Sequence, residues 1–367
     1  MEQMRKRTRY SLLLILVLLA ALVVAVILRR QAPPEVARLL PESDAIVYLN
    51  LKPLRAATHF DKTSVARSPE YQHFIDATGI VFERDLDSVA FALQRRDDPT
   101  GPNGPVAYSE VFEGRFDGPR LARYLHSIAT SEETYAGHII YTIPIADTLA
   151  PGTDTLSAAP NAAPPAAAAP VRLLRVTQLG YDTLAASNLP TPEQIHSVLD
   201  RFRAGASPFS GSSLLEARYR DVPLLSGAWA IGHIGLPFSE NGHITAFGLQ
   251  LPLPDDTTFV ASLRYTGALH LRIDEILATP DEAARSAAAL SSLLDLFRSF
   301  QKLQLSTRTS DPTTSPGASS DPKDAALRQL LDSLKIDQQK DRAVLTATLP
   351  LELLKQITAA TPAATTR

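Results

Sequence analysis

Apolar positions run without interruption near the start of this chain, and afterwards they recur with a period of two or of three to four. Leu12–Leu28 is unbroken, with Arg5, Lys6, Arg7 and Arg9 before it and Arg29-Arg30 after it. The 19 residues from Tyr10 to Leu28 span roughly 28 Å as a helix, at about 1.5 Å per residue. A bilayer core is roughly 30 Å thick. Tyr10 and Ser11 sit at the interfacial end, where aromatic rings settle. A cleavable secretory signal has a shorter core and small residues at its cleavage site, which Ile27-Leu28-Arg29-Arg30-Gln31 lacks. The segment reads as a retained signal-anchor. Its cationic N-terminal flank predicts a cytoplasmic N-terminus and an extracytoplasmic C-terminal part. Ala21 and Ala25 form a small-xxx-small pair, which permits a weak homodimer through the span, although such pairs arise easily in an Ala-rich helix.

Period-two alternation predicts strands at Ala45–Leu51, Ser88–Gln94, Val106–Glu113, His138–Ile145, Val171–Gln178, Thr183–Ser187, Leu225–Gly235, His243–Leu251, Thr257–Tyr265 and Ala343–Leu349. Asn241-Gly242 is a tight-hairpin signal between two of them. Helix starts are marked by a capping side chain before proline at Ser68-Pro69, Thr191-Pro192, Thr279-Pro280 and Asp321-Pro322. Thr191/Gln194 and Thr279/Glu282 match the capping box. Amphipathic faces follow, with Ile195, Val198, Leu199 and Phe202 in one helix. Leu290, Leu293, Leu294, Phe297 and Phe300 form the face of another at Pro280–Phe300. A third at Asp321–Leu334 carries Leu327, Leu330, Leu331 and Leu334. Hairpins punctuated by single helices predict an α+β fold with a mostly antiparallel sheet and packed helices.

Two stretches break the pattern. Residues 147–170 are nearly all Ala, Pro and Thr, with five prolines, and 309–321 is Ser, Thr, Pro and Asp. Neither buries enough apolar surface to offset the entropy of ordering, so both read as disordered inserts. The first interrupts a hairpin between His138–Ile145 and Val171–Gln178. The predicted organisation is a basic cytoplasmic tail (1–9), a span (10–28), a tether (29–44), a first α+β half (45–205), a second half (206–360) and a tail (361–367). The division into halves follows strand–helix order. Pro105–Leu125 and Arg342–Ile357 run alike, and Ala45–Leu54 and Gly227–Pro237 offer matching first strands.

Charge and cysteine narrow the function classes. Without residues 1–30 the chain has 30 basic and 38 acidic residues, a net charge of −8. Such a balance argues against nucleic acid and against an anionic membrane surface as partners, because both need basic patches. With no cysteine there is no disulfide framework, thiol nucleophile or Cys-based metal site. No Asn-x-Ser/Thr sequon occurs either. A bacterial periplasm suits such a domain, with the span in the inner membrane.

Leu40-Pro41-Glu42-Ser43-Asp44-Ala45-Ile46-Val47-Tyr48-Leu49-Asn50-Leu51, just outside a membrane anchor, resembles the opening of the ectodomain in bacterial single-pass membrane-anchored proteins of unknown function. Those proteins pair a P-x-D-A-x-x-Y first strand with a duplicated α+β extracytoplasmic domain. Leu179-Gly180-Tyr181-Asp182-Thr183-Leu184-Ala185 and Ala343–Ile357 fit the same plan. The resemblance implies a tethered extracytoplasmic domain and transfers no catalytic residue.

Catalytic signatures are absent. The chain has no glycine-rich phosphate loop, His-Glu-x-x-His helix or Gly-x-Ser-x-Gly elbow. His233 and His243 flank the Asn241-Gly242 turn and with Glu240 form a conceivable metal set, but two ordinary strand histidines are the plainer reading. Ser-x-x-Lys at Ser299/Lys302 and Ser320/Lys323 lacks its companion motifs. Asp85, Asp87, Asp255 and Asp256 stand where turn formers stand. Trp229, the single tryptophan, lies among small residues and reads as core. No residue is assigned a catalytic, cofactor or metal role. The expected function is non-enzymatic binding or scaffolding of an envelope protein or glycan by a membrane-tethered domain. The alternative is an envelope hydrolase or carbohydrate-active enzyme with a dispersed site.

Overall fold

The computed structural model describes residues 32–62, 67–95, 106–145, 172–205, 211–233, 243–246, 249–252, 257–308 and 329–349. The span expected at 10–28, both inserts (147–170 and 309–321), the Asp321-Pro322 helix start and residues 350–367 lie outside these. Among the described residues no helix is long and apolar enough to cross a membrane.

Fourteen strands appear among the described residues: β1 (Ala45–Asn50), β2 (Leu86–Arg95), β3 (Val106–Gly114), β4 (Ser131–Tyr135), β5 (His138–Ile145), β6 (Arg172–Gln178), β7 (Thr183–Ser187), β8 (Ala228–His233), β9 (His243–Ala246), β10 (Leu249–Pro252), β11 (Thr258–Tyr265), β12 (Leu269–Ile276), β13 (Lys335–Gln339) and β14 (Arg342–Leu349). The helices are α1 (Glu35–Arg38), α2 (Leu51–Thr58), α3 (Pro69–Thr78), α4 (Phe82–Asp85), α5 (Gly118–Ile128), α6 (Glu193–Arg203), α7 (Ser213–Arg218) and α8 (Pro280–Arg308). The fold is α+β, and every strand pair is antiparallel. Twelve strands form one sheet in the order β13-β14-β12-β11-β8-β1-β2-β3-β7-β6-β5-β4.

Outward from the central β1–β8 pair, β2, β3, β7 and β6 succeed one another on one side and β11, β12, β14 and β13 on the other. Chain order matches this arrangement. A helix precedes each central strand (α1, α7) and another follows each third strand (α5, α8).

Alternation assigns the two faces. Ile46, Tyr48, Ala90, Ala92, Val111, Trp229, Ile231 and Val260 point to one side, where α1, α6 and α7 cover them with Leu39, Leu40, Ile195, Leu199 and Leu215. On the other side α5 packs Leu121 and Leu125 beside Tyr141, Val176 and Leu184, and α8 packs against β13 and β14.

Ser68 caps α3 by accepting the Tyr71 N–H, and Thr279 accepts the Glu282 N–H at the start of α8. At Thr191 the capping-box expectation is corrected, because the N-cap of α6 is Pro192, with no side-chain cap bond. The tether expected at 29–44 is corrected too. Val36, Ala37, Leu39 and Leu40 are buried in the main core, because these apolar side chains roof the sheet once α1 turns over it. His243–Leu251, expected as one strand, is the β9–β10 hairpin. Asn241-Gly242 lies outside the described residues; β8 pairs with β1 and β11, and β9 with β10. The strand–helix match of Pro105–Leu125 with Arg342–Ile357 is also displaced. In the strand order β3 stands opposite β12, and β14 stands opposite β7.

The Ala/Pro-rich insert leaves and rejoins the body at Ile145 and Arg172, which are register partners. Loop-closure cost grows slowly with length, so deleting residues 149–169 is expected to move the unfolding temperature by no more than about two degrees. A calorimetric drop of several degrees would show that the insert packs on the body.

Candidate functional site

An open cleft of about 700 Å³ lies at the end of the sheet where β1 and β3 finish and β2 begins. Its walls come from the first turn of α2, the α3–α4 connection, the turn into α5 and the β6–β7 turn. Local chemistry builds each wall. Helix α3 stops at Gly79, whose φ of 76° is the left-handed conformation that glycine adopts without cost. Ile80 then turns into the core beside Leu121 and Leu125. The Asp85 side chain accepts the Val81 N–H at 2.9 Å, which ties the two ends of α4 together just before β2 begins.

Asp85 is the deepest carboxylate in the cleft, with 6% of its surface exposed. Arg84 reaches it with two donors, Nε at 2.8 Å and Nη2 at 2.7 Å, and Arg115 lies 3.7 Å away. Burial pushes the Asp85 carboxyl up. The Arg84 hydrogen bonds, the Val81 N–H and the two guanidinium charges outweigh that and hold it below the usual carboxylate range. The Asp85 hydrogen bond and charge raise the Arg84 pKa. Both groups therefore stay charged at neutral pH. Asp87 takes Arg55 at 3.1 Å and Lys52 at 3.3 Å, and Glu113 accepts Ser88 at 2.7 Å. On the rim, Tyr181 is 84% exposed, and Arg120 donates to the Asp76 carbonyl. The surface offers fixed charges of both signs with one projecting aromatic ring.

A depressed carboxyl pKa contributes stability that is present above the unfolded value of 3.8 and is lost as pH falls through the folded one. Asp85→Asn is therefore expected to lower the unfolding temperature at pH 6 and to match the parent near pH 2. A deficit that persists undiminished in acid would rule out the ionised carboxylate as its source.

Gly114 closes the floor of the cleft. A β-carbon there would collide with the Asp85 carbonyl oxygen and come within 2.9 Å of the Phe116 ring. Gly114→Ala is expected to cost about 1–3 kcal/mol, as overpacking does. Denaturant unfolding checks it, and an unchanged midpoint would mean the cleft floor is pliable.

No family model matches the chain, and no curated protein does either. Its structure is similar to two crystal structures of TP0453. Form III has a TM-score of 0.44 and 11% identity, with 89% of this chain and 99% of that chain covered. Form I has a TM-score of 0.41 and 10% identity, with 90% and 98% covered. Overlaps of this size amount to a weak resemblance only.

Of the residues singled out in the sequence, Asp85 and Asp87 both line this cleft. Asp255, Asp256, Glu240, Ser320 and Lys323 lie outside the described residues. Ser299 donates to the Asp295 carbonyl one helical turn back. His233 is exposed, with Nδ1 3.3 Å from the Thr258 hydroxyl. Among the described residues no three His, Asp or Glu side chains are grouped to hold a metal. Trp229 is core, 3% exposed and stacked on Tyr48. Sequence reasoning missed Lys52, Arg84, Arg115, Arg120 and Tyr181 as wall residues. Only Tyr181 carried a signal, an aromatic ring held between Gly180 and Asp182 in a turn.

Proposed function

We propose that the chain is a membrane-tethered extracytoplasmic binding domain that holds an envelope partner in this cleft. The observation supporting it is the open, charge-compensated surface around Asp85. Its resolved pKa shifts favour permanently charged groups rather than a proton donor or acceptor near neutrality. A polar peptide segment of a partner protein fits such a mixed surface. Position supports the same reading. β1 starts at Ala45 and reaches the cleft end at Asn50, about 17 Å away at 3.4 Å per residue, so the cleft opens at the end of β1 remote from the anchor side. The palindromic strand order supports treating 45–205 and 206–360 as two related halves.

A competing hydrolase needs a group poised to exchange protons. Glu110, with a pKa of about 7, is such a group, but its side chain faces the side of β3 opposite Glu113, away from the cleft.

Two experiments test the proposal. A phosphatase fused to the C-terminus should be active outside the cytoplasm, and activity inside would overturn the topology. A photoreactive phenylalanine analogue at position 181 should give a discrete adduct in cell membranes that Arg84→Glu abolishes. Adducts identical to those from position 127, on the outer turn of α5, would remove the cleft from consideration.

A further inference from the structure

The charges of the cleft are matched unevenly. Lys52 lies 3.3 Å from Asp87 and 4.0 Å from Glu113, and Arg55 also pairs with Asp87. Three further cations, Arg84, Arg115 and Arg120, line the same cleft. Among the described residues, Asp85 is the only carboxylate within 4.0 Å of any of their guanidinium nitrogens.

Backbone carbonyls fix the three side chains. Arg84 Nη2 donates to the Gly79 carbonyl at 3.2 Å, Arg115 Nη2 to the Arg84 carbonyl at 2.7 Å and Arg120 Nη2 to the Asp76 carbonyl at 3.1 Å. The groups also converge. A β-carbon on Gly79, whose carbonyl takes Arg84, would lie 2.9 Å from Arg120 Nη1. Arg115 Nη2 is 3.7 Å from Asp85 Oδ1, the oxygen that Arg84 Nε reaches at 2.8 Å.

Each tether leaves part of a guanidinium unused. The group carries five N–H donors in a planar fork. Among the described residues, Arg84 Nη1 and both Nε and Nη1 of Arg115 and Arg120 have no hydrogen-bond partner. The side chains of Arg84 and Arg115 are 55% and 66% exposed. Donors already held in place bind a ligand at a lower entropic cost than freely rotating ones. They call for an anion, and the fork matches a carboxylate.

Phosphate fits less well. Helix α5 starts in the cleft, but Pro119 in its first turn has no N–H, and Asp117 Oδ1 accepts the Arg120 N–H. The backbone donors that hold phosphate at a helix start are therefore largely spent. Asp117 and Asp182 also stand in the cleft walls, and they repel a dianion more strongly than a single carboxylate. Tyr181 offers its exposed ring to the apolar parts of a peptide.

Granted the cleft as a partner-binding surface, the reading on which this rests, we propose that Arg84, Arg115 and Arg120 bind the side-chain carboxylates of an acidic peptide segment in the partner protein.

The test uses the full chain in detergent micelles, with the photoreactive phenylalanine analogue at position 181. It is irradiated, at low occupancy, with a biotin-labelled peptide of alternating glutamate and glycine or with its glutamine counterpart. The glutamate peptide should give at least about tenfold more adduct. Arg115→Gln and Arg120→Gln should each lower that yield about fivefold or more. Arg203→Gln, on α6 and outside the cleft walls, should leave it unchanged. Unfolding temperatures establish that the variants fold. Where a glutamine variant does not, Arg115→Lys or Arg120→Lys, which keeps the charge and loses the fork, carries the comparison. Equal yields from the two peptides, or a glutamate yield that both arginine substitutions leave intact, would overturn the proposal. Inorganic phosphate that suppresses the adduct better than acetate at equal ionic strength would reassign the arginines to phosphate and likewise overturn it. The cleft reading fails separately, by the lack of any discrete adduct from position 181 in cell membranes. A membrane adduct that survives Arg115→Gln together with Arg120→Gln keeps the cleft and removes the acidic partner.

Discussion

Trp229→Ala is expected to destabilise the protein by about 3–5 kcal/mol, as truncation of a fully packed large aromatic does. Trp229 sits at the centre of the sheet, opposite Tyr48 in the β1–β8 register. Its ring stacks on Tyr48 at 5.4 Å and meets the edge of Tyr219 at 5.4 Å. Truncation leaves a cavity where the two flanks of the sheet meet, and it unroofs Tyr48, whose hydroxyl burial pushes to about 12. Trp229→Phe, which keeps a ring, should recover part of the loss. Denaturant unfolding followed by circular dichroism measures both. A loss below about 1 kcal/mol for the alanine variant would mean that the site collapses freely or that the ring is poorly packed.

The second large effect has the opposite sign. Burial among apolar neighbours raises Glu110 from 4.5 to about 7, and Phe91 and Ala186 flank it in the register. Between those two pH values the folded chain binds more protons than the unfolded chain, so stability falls as pH rises through that window and stays lowered above it. Glu110→Gln removes the ionisation. The variant should equal the parent below pH 4.5 and exceed it at pH 8 by up to about 3 kcal/mol, at about 1.4 kcal/mol per pKa unit. Melting temperatures at the two pH values decide it. A parent and variant with parallel profiles would show that Glu110 is solvated.

Much of the scaffold was legible from alternation alone, because β1, β2, β3, β5, β6, β7, β11 and β14 carry their apolar side chains at period two. Strand β12 escaped because its polar positions are internal. Asp274 is 1% exposed and held by Arg272 and Arg342, so a buried ionic network interrupts what would read as an apolar strand. Strands β4 and β13 are edge strands of exposed polar residues such as Glu132, Glu133, Gln338 and Gln339, and their pattern carries no signal of burial. The fold of Val36–Leu40 was hidden by Pro33-Pro34, which reads as a linker until the sheet beneath it is known. The cleft was the least legible part. Its walls come from separate stretches of chain, and the one local feature, acidic residues at the start of β2, has an equally good reading as turn chemistry. Asp85 does both, satisfying the Val81 N–H and lining the cleft.

The position of β1 has a mechanical consequence. It is the first strand after the N-terminal segment, yet it lies in the middle of the sheet, with six register pairs to β2 and five to β8. Tension along the chain from its N-terminal side would first meet the buried Val36–Leu40 segment; past it, the pull would enter at Ala45, directed along β1, and load both ladders in shear. Many backbone hydrogen bonds would share that force at once, whereas an edge strand loaded crosswise would peel away one bond at a time. A pull from that end would therefore be resisted by two ladders together.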